Sequence, residues 1–179
     1  MRAFVALPIP PEAQRAIHSY QTRLRSLLPD RSVRWSKPEQ WHITLHFLGN
    51  CPPAVMDEVS CHLDSVCSDY GGVNPRTHRL GVFPAVLRPN VLWIGIENSQ
   101  GLKELQSAIT RRIAKFGSSR ESRDYCPHVT LARIRAPDVK TQETIGQLVV
   151  DNPPRPRWHG TPTTFSYSKV NRAIKVAAT

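Results

Sequence analysis

The chain has 179 residues, and its 24 Lys and Arg against 14 Asp and Glu give a formal net charge of +10. This length fits a single domain spanning residues 1–179, and no apolar stretch reaches the roughly 20 residues of a transmembrane helix, so we expect a cytoplasmic monomer without a membrane anchor. The excess of positive charge makes nucleic acid the expected partner class, although many proteins are basic without binding it. The four cysteines lack zinc-site spacing and are expected to be reduced, packed thiols, and no metal or cofactor is expected.

Helical and strand patterns alternate along the chain. Apolar residues at spacings of three and four predict four helices, at Glu12–Leu28, Val55–Val66, Leu102–Phe116 and Thr141–Val149. Runs of β-branched residues bounded by turn residues predict strands at Arg2–Leu7, Val33–Trp35, His42–Leu48, Leu80–Phe83, Val91–Ile96, His128–Ile134 and Thr163–Lys169. A proline-bounded connection, Pro84–Pro89, is expected to join two paired strands without a helix between them. This order favours an α+β fold over a purely parallel sheet.

One four-residue motif occurs twice, as His42-Ile43-Thr44-Leu45 and as His128-Val129-Thr130-Leu131. Both copies lie in predicted strands, and because side chains alternate along a strand, His and Thr of each copy share one face while the apolar residues share the other. If the two strands meet at a cleft, two imidazoles and two hydroxyls converge there. A pair of ordinary, partly buried histidines is the alternative for either copy taken alone.

Two imidazoles and two hydroxyls suit the hydrolysis of a cyclic phosphodiester. One histidine can take a proton from water while the other protonates the departing oxygen, and an ordinary imidazole pKa of about 6.5 makes both forms accessible near neutral pH. Threonine hydroxyls can donate hydrogen bonds to the non-bridging phosphate oxygens. The candidate catalytic residues are therefore His42 and His128, with Thr44 and Thr130 as candidate substrate-binding residues.

Other chemistries fit the sequence less well. His42 and His46 could chelate one metal ion on a helix, but on a strand four residues span roughly 13 Å, too far for a shared ion. Neither the Gly-x-Ser-x-Gly motif of serine hydrolases nor a Walker phosphate loop is present. The aromatic side chains Trp35, Trp41 and Phe47 could stack on a base, but at strand positions they are expected to lie in the core.

These residues resemble the two-histidine phosphoesterase superfamily, and within it the bacterial and archaeal RNA 2′,3′-cyclic phosphodiesterases, also called 2′-5′ RNA ligases. The similar segments run in the family's order over residues 1 to 135; they are Arg2–Leu7, Arg34-Trp35, His42–Gly49, Gly81–Pro84, Val91–Trp93 and Pro127–Arg133. A lone His-x-Thr would be weak, whereas this ordered set is specific. The expected closing strand and Gly-containing tail with a tyrosine are not recognisable in Phe165–Thr179.

The resemblance implies a bilobal α+β fold whose pseudo-twofold halves each contribute one His-x-Thr strand to a central cleft. It implies that His42 donates the proton to the departing 3′ oxygen and that His128 activates water, leaving a 2′-phosphate on RNA. It also implies that Arg133 approaches the phosphate, and since strict alternation puts Arg133 on the face opposite His128, a strand end or a bulge must intervene.

The surroundings of the second motif are basic, with seven Lys and Arg between Arg111 and Arg135 against Glu121 and Asp124. This cluster could attract an RNA backbone, and a solvated basic face is equally compatible with it. Three functions remain open: the RNA 2′,3′-cyclic phosphodiesterase, with possible reverse 2′-5′ joining; a relative acting on 2′,5′-oligonucleotides or cyclic nucleotide-sugar phosphates; and a non-catalytic RNA-binding module.

Overall fold

The computed structural model of the protein describes residues 2–28, 31–68, 70, 73–97, 100–116, 124–151 and 175–178. The elements in chain order are β1 (Arg2–Pro8), α1 (Pro11–Leu27), β2 (Val33–Trp35), a 3₁₀ turn (Pro38–Gln40), β3 (His42–Asn50), α2 (Pro53–Ser68), β4 (Thr77–Ala85), β5 (Arg88–Ile96), α3 (Gln100–Ile113), a second 3₁₀ turn (Ala114–Phe116), β6 (His128–Ile134), α4 (Val139–Asp151) and β7 (Lys175–Ala178). Each helix predicted from apolar spacing is present, with ends that differ by a few residues.

Two antiparallel sheets organise these elements, which confirms the α+β prediction. The first sheet has the strand order β3-β1-β7, and the second has the order β2-β6-β5-β4. Both motif strands, β3 and β6, come close to each other where the two sheets meet. The fold is therefore bilobal, and each lobe contributes one His-x-Thr strand to the junction.

The helices cover the outer faces of the two sheets. In the first lobe α2 and α3 pack together, with α3 against β3 and α2 near β7. In the second lobe α4 lies against β4 and β5, and α1 reaches β2 and β6 through hydrogen bonds of Gln21. Each sheet thus buries one face under helices and keeps its other face for the cleft.

The two motif strands carry matching irregularities. Successive residues Val5 and Ala6 of β1 pair with His46 and Thr44, so Leu45 is an extra residue in β3. On β6 the extra residue is Leu131, because the register against β5 jumps from Thr130 to Ala132. An extra residue reverses the alternation of side chains beyond it. The bulge that the resemblance led us to expect after the second motif is therefore present, β3 has an equivalent one that was not expected, and β3 has another register shift at Leu48.

Two predictions about the strand connections need correction or completion. The predicted pairing of the two strands around Pro84–Pro89 is confirmed, but the connection is shorter than predicted: β4 and β5 form a tight hairpin whose turn is Val86 and Leu87, and Pro84 pairs with Pro89. Two facing prolines fit there because neither has an N–H to lose from the ladder. A closing strand, unrecognised in the sequence, is present as β7 and pairs antiparallel with β1. The predicted strand Thr163–Lys169 lies outside the described residues.

Candidate active site

The two motif histidines are held in the same way, each at the first position of its strand. The Nδ1 atom of His42 lies 2.7 Å from the carbonyl oxygen of Gln40. The Nδ1 atom of His128 lies 2.8 Å from the carbonyl oxygen of Cys126, also two residues earlier. A carbonyl oxygen only accepts hydrogen bonds, so in each ring Nδ1 carries a proton and donates it. The Nε2 atom of each ring is then the one that can exchange a proton with a substrate.

Burial tunes both rings toward the neutral form. Desolvation lowers the pKa of His42 below the ordinary value, against the opposing effect of its hydrogen bond to Gln40. Desolvation also lowers the pKa of His128, partly offset by the bond to Cys126, and the positive charge of His42 lowers it further. The geometric observation beside these shifts is that the two histidine-bearing strands, β3 and β6, contact each other where the sheets meet.

The two threonines lie where alternation predicted them. Thr44 and Thr130 are half-buried, on the same faces as their histidines, and neither hydroxyl has a hydrogen-bond partner within the part of the chain that the structure describes. The hydroxyl group of Tyr125 donates to the carbonyl oxygen of Thr44 at 3.1 Å, and so ties the segment before β6 to the motif strand of the other lobe. Sequence reasoning did not find Tyr125.

The bulges bring a further residue of each strand to the cleft. With Leu131 and Ala132 both buried, Arg133 is exposed and faces the same side as Thr130, as its pairing with Val91 also shows. The bulge expected before Arg133 is thus present, and the approach of Arg133 to a phosphate stays a prediction. In β3 the equivalent position is Phe47, which is 48% exposed and faces Phe4.

The expected core position of the strand aromatics is right for two of the three. Trp41 is buried and Trp35 packs against the core. For Phe47 the prediction was wrong, because the bulge at Leu45 turns this side chain out of the core. A one-residue insertion in a strand moves every following side chain to the other face.

Aromatic rings also flank each histidine. Phe4 stacks on His42 with ring centroids 4.7 Å apart. Around His128 lie Phe83, edge-on at 5.0 Å, and Trp93 at 5.8 Å. Gly81 leaves room for the indole, since a Cβ atom at that position would clash with Trp93. These rings account for the desolvation that lowers the imidazole pKa values.

Two glutamines on the outer helices brace the bulges, and sequence reasoning missed both. Gln21 of α1 donates to the carbonyl oxygens of Leu131 at 3.0 Å and Ser36 at 2.9 Å. Gln106 of α3 donates to the carbonyl oxygen of Leu45 at 3.3 Å and to Thr110 at 3.0 Å. A signal existed, because each glutamine lies four residues after an apolar helix position, in the buried stripe.

A metal site at His42 and His46 does not form. His46 is buried, and its Nδ1 atom lies 3.1 Å from the hydroxyl of Thr110 on α3, behind the sheet, while His42 faces the cleft. Within the described ranges no group of three or more His, Cys, Asp or Glu side chains could hold a metal ion. The cysteines are free thiols, with Cys51 and Cys67 buried and Cys61 exposed.

Comparison with known proteins assigns the chain to a family. The LigT-like phosphoesterase model matches residues 7–93 and 94–153. The chain belongs to this family. It is 32% identical over 130 residues to the RNA 2′,3′-cyclic phosphodiesterase of Geobacillus stearothermophilus, a match covering 73% of this chain and 41% of the relative. It is 38% identical over 110 residues to the protein of the same name from Aquifex aeolicus, covering 60% of this chain and 58% of the relative.

The fold of the LigT-like phosphoesterases also matches. The crystal structure of Escherichia coli LigT complexed with 3′-AMP superposes with a TM-score of 0.64 at 22% identity, over 91% of this chain and 82% of LigT.

The chain spans about half the length of the two sequence relatives named above. None of the described helices is long and apolar enough to cross a bilayer.

Proposed function

We propose that this LigT-like phosphoesterase hydrolyses 2′,3′-cyclic phosphate ends of RNA to 2′-phosphomonoesters. The observation that carries the proposal is the matched pair His42 and His128, each tied through Nδ1 to a backbone carbonyl and each without an Nε2 hydrogen-bond partner among the residues described above. An acid and a base on opposite sides of one phosphorus atom are the groups that this reaction needs. Naming of the two relatives as RNA 2′,3′-cyclic phosphodiesterases supports the substrate class.

The reaction consumes one water molecule. Nε2 of His128 takes a proton from water as the water oxygen bonds to phosphorus. The bond between phosphorus and the 3′ oxygen breaks, and Nε2–H of His42 gives its proton to that oxygen. RNA is left with a 3′-hydroxyl and a 2′-phosphate. If the 5′-hydroxyl of a second RNA took the place of water, the same proton transfers would join the two RNAs through a 2′-5′ linkage.

The electrostatics fit a pair made of one acid and one base. Repulsion between the two rings lowers the pKa of His128 and disfavours protonation of both imidazoles at once, so one ring can be the acid while the other is the neutral base. The proposal assigns the acid to His42 and the base to His128. An anionic phosphate between the rings would favour the protonated form of His42 further.

Three more side chains are proposed to bind the phosphate. The hydroxyls of Thr44 and Thr130 can donate to the non-bridging oxygens, where negative charge must be held during the reaction. Arg133 can add a charge-assisted hydrogen bond, since it faces the same side as Thr130. No metal ion has a role in this proposal, and we further propose that the protein acts as a cytoplasmic monomer with RNA as its partner.

To test the proposal, a short RNA that ends in a 2′,3′-cyclic phosphate is incubated with the protein in the presence of EDTA, and the product is identified. We expect complete conversion to a 2′-phosphomonoester, identified by ³¹P NMR, at the rate seen without the chelator. A 3′-phosphate product would contradict the proposed leaving group, and loss of activity in EDTA that added metal restores would contradict the metal-free mechanism.

The same assay separates the other functions. Binding of the RNA without any turnover would identify a non-catalytic RNA-binding module. Faster turnover of a 2′,5′-oligonucleotide or of a cyclic nucleotide-sugar phosphate would move the substrate assignment to that class. The complex of LigT with 3′-AMP shows that a structural relative binds a nucleotide, which supports nucleotide-containing substrates for this chain.

A further inference from the structure

Two arginines lie side by side on the cleft face of the second lobe. Arg34 of β2 pairs directly with Arg133 of β6 in the antiparallel register, which sets their Cβ atoms about 4.5–5.5 Å apart on one face. Val33 is buried and Trp35 packs on the core, so Arg34 between them points to the cleft side. Both arginines are exposed.

The contacts among the described residues do not explain why Arg34 and Arg133 lie opposite each other. Like charges placed directly opposite each other destabilise an antiparallel pair of strands. Neither Arg34 nor Arg133 has an ion-pair or side-chain hydrogen-bond partner among the residues that the structure describes. An anion held between the two guanidinium groups would remove the repulsion, and guanidinium groups match phosphate oxygens in geometry.

The position of the pair fits a phosphate next to the reacting one. The bulge at Leu131 makes the separation of Thr130 and Arg133 equivalent to two strand steps, about 7 Å along β6. Arg34 lies one strand spacing, about 4.8 Å, further to the side. Arg133 can therefore approach the cyclic phosphate at Thr130, whereas Arg34 extends the basic surface beyond it.

We propose that Arg34 binds the phosphodiester on the 5′ side of the terminal nucleotide of RNA, beside Arg133, which faces the cyclic phosphate. A 2′,3′-cyclic end has one neighbouring backbone phosphate, and it lies on that side. The inference rests on the proposed function and deepens it, because it makes an RNA of at least two nucleotides a better substrate than a single nucleoside 2′,3′-cyclic phosphate.

The test compares kcat/KM for a dinucleotide with a 2′,3′-cyclic end and for the matching nucleoside 2′,3′-cyclic monophosphate. The ratio of the two values is expected to exceed one for the unmodified protein. Arg34→Gln should lower this ratio about tenfold, the loss expected for one charge-assisted contact. The matched control is Arg23→Gln, which removes the same charge from an exposed position of α1 and should leave the ratio unchanged.

Salt dependence provides a second readout that a merely structural role of Arg34 would not change. The plot of log kcat/KM for the dinucleotide against log salt concentration should become shallower by about 0.7 in Arg34→Gln, as expected for one lost contact to single-stranded phosphate. An unchanged ratio in Arg34→Gln, or an equal loss on both substrates, would overturn the inference. If the unmodified protein hydrolyses neither substrate, the proposed function itself fails.

Discussion

The two lobes present the same strand to the cleft and differ at one position of it. In both, a His-x-Thr-Leu strand begins with an imidazole tied to a backbone carbonyl and bulges at its leucine. After the bulge, the first lobe shows Phe47 and the second shows Arg133. In the proposed mechanism the shared part supplies acid and base, and the differing part gives the cleft one aromatic wall and one basic wall. Two similar strands would thus serve the proposed substrate, which is itself asymmetric.

The largest expected effect tests the His-x-Thr-Leu strand that both lobes share. His42→Ala and His128→Ala should each lower kcat by roughly 10²–10⁴-fold, the usual contribution of a general acid or base. The double variant should be little worse than either single one, because residues that act as a unit are not additive. Steady-state rates on cyclic-ended RNA measure this.

His18→Ala is the matched control, since His18 is an exposed histidine of α1. Its rate should stay within about twofold of the unmodified protein, as is usual for surface substitutions. Near-unchanged turnover in His42→Ala or His128→Ala would remove that residue from the mechanism and break the equivalence of the lobes.

The next effect tests the difference between the lobes. Arg133→Gln should lower kcat/KM by about 10–100-fold, because a charged hydrogen bond to phosphate is worth about 1.5–3 kcal/mol. Phe47→Gln at the equivalent position should weaken substrate binding without this loss of charge, and its salt dependence should match that of the unmodified protein. Equal losses and equal salt slopes in the two variants would contradict the assignment of a basic and an aromatic wall.

A smaller effect compares the glutamines that brace the bulges. Gln21→Met keeps the side-chain volume and removes the donor to two backbone carbonyls, so the free energy of unfolding should fall by about 1–3 kcal/mol. Gln106→Met should cost about 1 kcal/mol, because its bond to Leu45 is longer and Gln106 is only half-buried. Urea denaturation measures both, and a larger loss in Gln106→Met would reverse the order.

The smallest effect concerns the pKa values of the two imidazoles. Both are lowered in the free protein, so kcat/KM, which reports the free enzyme, should peak below about pH 6.5. The rate falls on the acidic side as His128 gains a proton and on the basic side as His42 loses one. A bound phosphate anion raises both pKa values, so the optimum of kcat should lie at higher pH.

One substitution isolates the coupling between the lobes. His42→Asn removes the charge that lowers the pKa of His128, so that pKa should rise, as an NMR titration would show. An unchanged pKa would show that the two rings do not interact, and an optimum of kcat/KM above pH 7 would contradict the direction of both shifts.

Prediction from sequence succeeded where the pattern is local. The helix that contains Ala13, Ile17 and Leu24 follows from apolar spacing alone, and its buried residues are those of the stripe. The repeated motif likewise predicted that His42 shares a face with Thr44 and His128 with Thr130, because alternation within four residues of strand decides which side chains share a face. The hairpin between β4 and β5 was placed too wide, because the pairing of Pro84 with Pro89 depends on both strands together.

The sequence by itself determined the order of strands and helices, the two motif histidines and the excess of positive charge, since periodicity and composition are properties of neighbouring residues. Only the tertiary structure decided that Phe47 faces the cleft, that Arg34 lies beside Arg133 and that Gln21 and Gln106 support the motif strands. Those placements depend on strand register, and register is set by pairing between segments far apart in the chain.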